Sequence, residues 1–442
     1  MYKYFQLLLI FLLAACSQTT EFHRPPPPIP NAWPVSTERV DAEVASKTHW
    51  RAFFTDPRLQ ALIELALEQN RDLRIAVARV AEARAQYGVA KADRLPGVSL
   101  GSDTSLSLAS ISYEVDFWGR VSGLSESARI SYLATEEARR AVYISLIADV
   151  AGAYFTLLQL DELIATTKTT VALREQSLSV IAKGMEAGGA YNYEFQQASG
   201  ILESTRATLA ATEYQRVAAQ NKLNFLVGQV PESLPAGRTL DEQGVDAELA
   251  PGLPSEVLLM RPDVIAAEQR LKSAHANIGV ARTAFFPKIL LTAGFGVASQ
   301  GLTTLASQGA WYFAPVISSF PLFDGGRTAA GVDIAEARKV IAVADYEKTI
   351  QQAFREVADL LSARASLSSQ LRAAVANNSA QEKRLQIAQA RYSAGLISYL
   401  EVLDGQRELV VAQQTSSQVR RAQLESAAQL YKALGGGAQK YE

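Results

Sequence analysis

Gly119-Arg120, which closes the run DFWGR, is matched 207 residues later by Gly326-Arg327, which closes LFDGGR. The interval does not drift: Gly188 falls against Gly395, and FLVG at 225–228 against KALG at 432–435. Upstream, RDLRIAVARVAEARAQYGVAKADRLP from Arg71 matches RPDVIAAEQRLKSAHANIGVARTAFFP from Arg261, down to the closing Pro96 and Pro287. A constant offset sustained over so long a stretch points to two structurally equivalent halves.

Each half reads as helix, short strands, long helix, turn, helix. No proline lies between Pro96 and Pro231 and none follows Pro321, while Ala, Leu, Gln, Arg and Glu, all good helix formers, are frequent. Val121 to Glu186 is 66 residues, about 100 Å of helix at ~1.5 Å per residue. Apolar positions at Leu146, Val150, Ala153, Leu157, Leu160 and Ile164 step by three and four, the seam by which helices pack side by side. A solvent-exposed helical bundle fits these helical patterns equally well.

The strands carry the distinction. In ISYEVDF, Ile111, Tyr113, Val115 and Phe117 alternate with Ser112, Glu114 and Asp116. In ILLTAGFGVAS, Ile289, Leu291, Ala293, Phe295 and Val297 share a face opposite Leu290, Thr292, Gly294, Gly296 and Ala298. One apolar face and one small or polar face suit the wall of a membrane β-barrel; hairpins packed on helices in a soluble α+β fold are the alternative. Trp118, Trp311, Tyr312, Phe313, Phe320 and Phe323 cluster near strand ends, as an interfacial aromatic girdle does. Two strands in each half make four per chain, too few to close a barrel, and open edges in lipid strand their backbone groups. Three chains supply twelve strands and leave room for a passage. The halves differ in one respect: 22 residues separate Pro96 from Gly119, against 38 between Pro287 and Gly326. The first strand pair therefore needs a tight turn near GSDTS.

The N-terminus places Lys3 before an apolar run from Phe5 to Leu13, too short to span a bilayer and typical of a secretory signal. The run ends in Leu13-Ala14-Ala15-Cys16, and Cys16 is the one cysteine of the chain. This resembles a lipobox, which implies cleavage before Cys16 and a covalent lipid on it, an anchor of several acyl chains; Ser17 in place of Asp favours the outer membrane. RPPPPIPNAWP, from Arg24 to Pro34, reads as an extended tether leading away from the lipid. Beyond the signal there is no uninterrupted apolar stretch long enough for a helical span.

Net charge −2 gives no reason to expect nucleic acid. His23, His49 and His275 are scattered, with no cysteine cluster or zinc spacing, so no catalytic, metal or cofactor site is expected. GFGVASQG lacks the spacing of a nucleotide-binding loop.

In FFTDPRLQALIELALEQNRDLRIA, SYEVDFWGR, LLMRPDVIAAE, VARTAFFPKILLT, WYFAPVISSFPLF and LYKALGGG, taken in order, the chain resembles the outer membrane factors, the TolC-like channel proteins, and within them the lipoprotein branch. The resemblance implies an α+β membrane protein: a trimeric 12-stranded outer-membrane β-barrel, four strands from each of three chains, continuing into a long periplasmic α-helical barrel. It implies a lipid-anchored passive exit duct for drugs and other toxic small molecules, joined to a periplasmic adaptor (membrane fusion protein) and an inner-membrane pump of the resistance-nodulation-division class. A type I protein-secretion conduit and a structural periplasm-spanning lipoprotein are the other readings.

On this basis residues 1–15 are signal peptide, 16–58 a lipidated tether and equatorial segment, and 59–228 repeat 1. Residues 229–255 are an equatorial linker, 256–435 repeat 2 and 436–442 a tail. Strands are expected at about 97–118 and 288–322, and hairpin turns near 188 and 395. Gly188, Gly189, Tyr392, Gly395 and Leu396 are the expected adaptor-docking tips. Leu400, Glu401, Asp404 and Arg407 match the family's periplasmic constriction, with Arg407 expected to tie Asp404; Tyr193, Gln197 and Gly200 stand at equivalent places in repeat 1. Trp118, Gly119, Arg120, Gly326 and Arg327 mark the passage from strand to helix.

Overall fold

The computed structural model describes residues 21–34, 48–103, 106–186, 192–244, 257–298, 309–319 and 322–436. Two compact units emerge. One comprises residues up to Ile29, Ile75–Arg140 and Pro262–Gln352; the other Pro30–Arg74, Ala141–Arg261 and Ala353 onward. The described elements are α1 (Trp50–Phe53), α2 (Pro57–Gln69), α3 (Arg71–Ala92), β1 (Gly97–Asp103), β2 (Leu106–Glu114), α4 (Arg120–Glu186) and α5 (Asn192–Val227), then α6 (Pro262–Thr283), β3 (Lys288–Ala298), β4 (Gly309–Ser319), α7 (Arg327–Ser393) and α8 (Tyr399–Ala433).

In the first unit the four strands form one antiparallel sheet in the order β1-β2-β3-β4, so β1 and β4 are its edges. Asp103 pairs with Leu106, leaving two residues between β1 and β2. Register sorts the strands into faces, because paired residues point the same way. Val98 pairs with Ile111, Leu100 with Ala109, Ile111 with Ala293 and Tyr113 with Leu291, which puts the apolar side chains together. Ser99 pairs with Ser110, and Ser110 and Ser112 with Gly294 and Thr292, which makes the other face small and polar. On it the Ser99 and Ser110 hydroxyls share a 2.8 Å hydrogen bond.

The alternation expected through Phe117 stops earlier. β2 ends at Glu114, and only the Val115 N–H continues the ladder, to the Ile289 carbonyl. Asp116 interrupts it because its carboxylate takes the backbone N–H groups of Val121 and Ser122, starting α4 instead.

Residues 21–29 do not leave as a free tether. Arg24 meets Glu268 of α6 at 2.7 Å, with the Glu268 side chain 5% exposed, and Phe22 lies against His275 and Lys272. A carboxylate so deeply buried demands a cation, and Arg24 supplies one alongside Lys272.

The second unit is organised around Asp56. Its side chain is inaccessible to solvent and accepts four hydrogen bonds: from Arg58 N at 2.8 Å, Tyr154 Oη at 2.9 Å, Arg238 N at 3.0 Å and Gln243 Nε2 at 2.8 Å. One carboxylate thus joins the start of α2, the middle of α4 and the segment after α5. Nearby, Phe53 stacks on Tyr431 at 4.7 Å, and the Tyr431 hydroxyl donates to the Thr48 carbonyl. Trp33, beyond the polyproline run, stacks on Phe354 at 5.1 Å within this same unit.

Two further ties share one geometry. Asn70 donates to the Leu226 carbonyl at the end of α5, and Arg261 to the Ala433 carbonyl at the end of α8. Each stands just before a 22-residue helix, α3 or α6. The alignment of Arg71 with Arg261 is therefore corrected by one residue: Asn70 occupies the place of Arg261.

Among the described residues α4 alone is long and apolar enough to cross a membrane by length and composition, contrary to the sequence expectation. Its apolar window is 61% buried in the protein, with Ile147, Val150, Tyr154 and Phe155 wholly or almost wholly inside. It is a packing helix.

Candidate functional site

The strand-to-helix passage is built the same way twice. Gly119 has φ +75° and Gly326 φ +89°, left-handed values that favour glycine. Before each, an aspartate caps the long helix: Asp116 on Val121 and Ser122, Asp324 on the N–H groups of Gly326 and Thr328. Burial pushes the Asp116 carboxyl up, but hydrogen bonds from Ser122, Val121 and Arg120 outweigh it and hold its pKa below the ordinary value. Asp324 is also lowered, by the Thr328 hydroxyl first. Arg120 forks onto Glu114, Nε to Oε1 at 2.7 Å and Nη2 to Oε2 at 2.5 Å, locking the first residue of α4 to the last of β2. Trp118, expected in an interfacial girdle, stacks on Phe286 at 4.6 Å and donates Nε1 to the Pro287 carbonyl. Arg327 opens α7. Phe323 is 93% exposed, and the side chains of Trp311, Tyr312, Phe313 and Phe320 lie outside the described residues.

In the second unit a cavity of about 770 Å³ gathers Leu400, Glu401, Asp404 and Arg407. Gln197 and Gly200 of α5 line the same cavity. Asp404 Oδ1 takes Arg407 Nη2 at 2.7 Å, as the i,i+3 spacing suggested. Its Oδ2 takes Arg384 Nη2 of α7 at 2.8 Å, and sequence reasoning missed that partner. The difference matters, because Arg407 lies on the same helix as Asp404 whereas Arg384 ties one helix of the hairpin to the other. Deeper in the wall, Arg174 bonds Thr205 and the Ile201 carbonyl, and burial pushes its pKa down.

The turn into α8 is a closed cap. Gly395, at φ +72°, donates to Tyr392 O and Leu396 donates to Arg391 O, both at 2.9 Å, which is the Schellman arrangement. Leu396 is 69% exposed at this tip, and Tyr392 packs edge-on to Tyr399. Gly188, Gly189 and Cys16 lie outside the described residues.

A family model described as outer membrane efflux protein matches residues 62–229 and 253–436. The chain belongs to the outer membrane efflux protein family. Among its relatives, the cation efflux system protein CusC of Escherichia coli K12 is 39% identical over 446 residues, covering 96% of this chain and 97% of that protein. The outer membrane protein OprJ of Pseudomonas aeruginosa is 36% identical over 455 residues, covering 98% and 95%. A solved structure of CusC superposes with TM-score 0.85 at 37% identity over 96% of this chain and all of that one. The open-state MtrE channel of Neisseria gonorrhoeae gives 0.86 at 34% over 95% and 98%. This protein is an outer-membrane efflux channel, of a family of conduits, and its place is the outer membrane.

Proposed function

We propose that three copies of this chain close a 12-stranded barrel in the outer membrane, and that their long helices form the periplasmic duct below it. The observation that carries this reading is the sheet: it is open at β1 and β4, and on its apolar face Val98 and Leu100 are 72% and 86% exposed. Lipid suits that face, and only closure with further strands satisfies both edges. The repeats 59–228 and 256–435 are the two halves of each copy, supported by α4 and α7, both 67 residues long and starting 207 apart at Arg120 and Arg327. Segments 16–58, 229–255 and 436–442 are the tether, linker and tail, and Cys16 carries the lipid.

The duct is passive and completes a tripartite system with a periplasmic adaptor at the tips, including Tyr392, Gly395 and Leu396, and a pump of the resistance-nodulation-division class. Three copies of Glu401 and Asp404 around one axis make a cation-favouring constriction, held narrow by Arg384 and Arg407. Relatives named for cation, antibiotic and toluene efflux all match at 39% identity, so cargo does not track the channel sequence and the pump selects it. The test is the full-length lipidated protein in detergent: light scattering should return three protein copies per particle, and planar bilayers should record single-channel steps. A monomeric particle without conductance refutes the reading.

A further inference from the structure

The first unit holds a second cavity, of about 460 Å³, walled by α4, α6 and α7. Its charged lining is Arg270 from α6 and Arg338 from α7, and no acidic residue lines it. Neither arginine makes an ion pair or hydrogen bond among the described residues, whereas the neighbouring Arg282 pairs with Glu336 and Lys272 with Glu268. Polar groups stand beside them. Asn277 lines the wall, and Ser131 joins it through a 3.0 Å hydrogen bond to Ser273, which is only 8% exposed. Gly331 completes the wall, and a Cβ added there would meet nothing within 4 Å. A glycine inside a helix is destabilising relative to alanine; at Gly331 no close contact requires it, and what it leaves is room.

Two exposed arginines that make no ion pair among the described residues, with hydroxyl and amide groups and open volume between them, suit a tetrahedral oxyanion, since guanidinium forks match phosphate geometry. We infer that this cavity binds a phosphate group, with Arg270 and Arg338 as its two clamps. Arg338 lies eleven residues into α7, roughly 16 Å along the helix from its start at Arg327. On the barrel reading proposed above, that is within reach of headgroups of the inner leaflet, so the phosphate has two possible sources, an anionic lipid and the free ion.

The test is thermal unfolding of the full-length protein in neutral detergent. One arm titrates inorganic phosphate against sodium chloride at matched ionic strength; the other titrates dihexanoyl phosphatidylglycerol. A ligand of the folded state raises the midpoint in a saturable way, here by a few degrees. R270Q/R338Q should abolish the rise while keeping the midpoint without ligand. G331L, which keeps both arginines and fills the space, should abolish it as well. A rise with both probes assigns the free ion, and a rise with the lipid alone assigns the headgroup. No saturable rise with either, or an equal rise in R270Q/R338Q, overturns the inference. Light scattering on the same samples reads assembly separately, so failure of the trimer and failure of the site are distinguishable.

Discussion

Replacing Asp56 should loosen the second unit more than any other single polar change described above. Asp56→Ala removes the acceptor of Arg58 N, Tyr154 Oη, Arg238 N and Gln243 Nε2, the Tyr154 and Gln243 bonds being fully buried and the two backbone ones part-buried. A buried donor left without a partner costs about 1–3 kcal/mol. With Arg58 N at a helix end, where water can replace the lost acceptor, the total is about 3–5 kcal/mol, the range found when one partner of a buried charged network is removed. Asp56→Asn keeps one oxygen, which can face the three donors now on Oδ2 and turn its NH₂ toward Arg58 N, so about 1–2 kcal/mol is expected.

Hydrogen exchange at Arg238 and Arg58 reads these numbers directly, because local opening sets the rate. Exchange should accelerate roughly 10²- to 10⁴-fold in Asp56→Ala and about tenfold in Asp56→Asn. Burial alone raises the Asp56 pKa, but the bonds from Gln243, Arg238, Tyr154 and Arg58 more than offset it and the net shift is downward. A carboxyl depressed on folding contributes its full stability above the unfolded value of about 4 and loses it as pH falls through the folded one. Wild-type protection should therefore fade below about pH 4, and that part of the fade should vanish in Asp56→Asn. Unchanged protection in Asp56→Ala, or equal losses in both variants, would refute the reasoning.

Other outcomes follow from single contacts. Gly228→Ala places a Cβ 2.4 Å from the Gln69 carbonyl oxygen at φ +85°, whereas the Cβ of Gly119→Ala, at φ +75°, meets nothing nearer than 3.6 Å. Left-handed strain alone costs about 1–2 kcal/mol, so Gly119→Ala should lower the thermal midpoint modestly and Gly228→Ala clearly more. Trp118→Phe keeps the stack on Phe286 and loses the bond to Pro287 O, a loss of about 1 kcal/mol to be read by heat-modifiability on gels. If Asp404 holds the constriction, Asp404→Ala releases Arg384 from α8 and leaves Arg407 only its pair with Glu408, and should raise bilayer conductance more than Arg407→Ala alone, which leaves the Arg384 tie. Equal effects would place the restraint elsewhere.

What could be read in advance depended on whether a contact leaves a pattern along the chain. The alternation at Ile111 and Tyr113 and the recurrence of Gly119-Arg120 at Gly326-Arg327 are local, and the sheet and helix starts follow them closely. Asp56 in TDPRLQ announces only a helix cap. Its other three donors sit at 154, 238 and 243, and no periodicity connects such distant positions. Arg384 was missed for a related reason: it lies 20 residues before Asp404, across the hairpin turn, where an i,i+3 search does not look. The polyproline run carries no signal of its contacts: what residues 21–34 lie against depends on Phe22, Arg24 and Trp33, whose partners are far along the chain.

The equal lengths of α4 and α7 set a rule for editing this protein. Each residue of an α-helix advances ~1.5 Å and turns about 100°. Deleting one residue near the start of α4 would swing Tyr154 off its bearing toward Asp56 and move every later partner to another face, whereas the twin helix α7 would keep its phase. The strand pairs carry no such constraint: their spans already differ, at 22 and 38 residues, and β3 and β4 tolerate residues 299–308 between them. Tags, epitopes and affinity loops therefore belong in that connection, while an insertion in a long helix is tolerated only in whole turns and in both helices together.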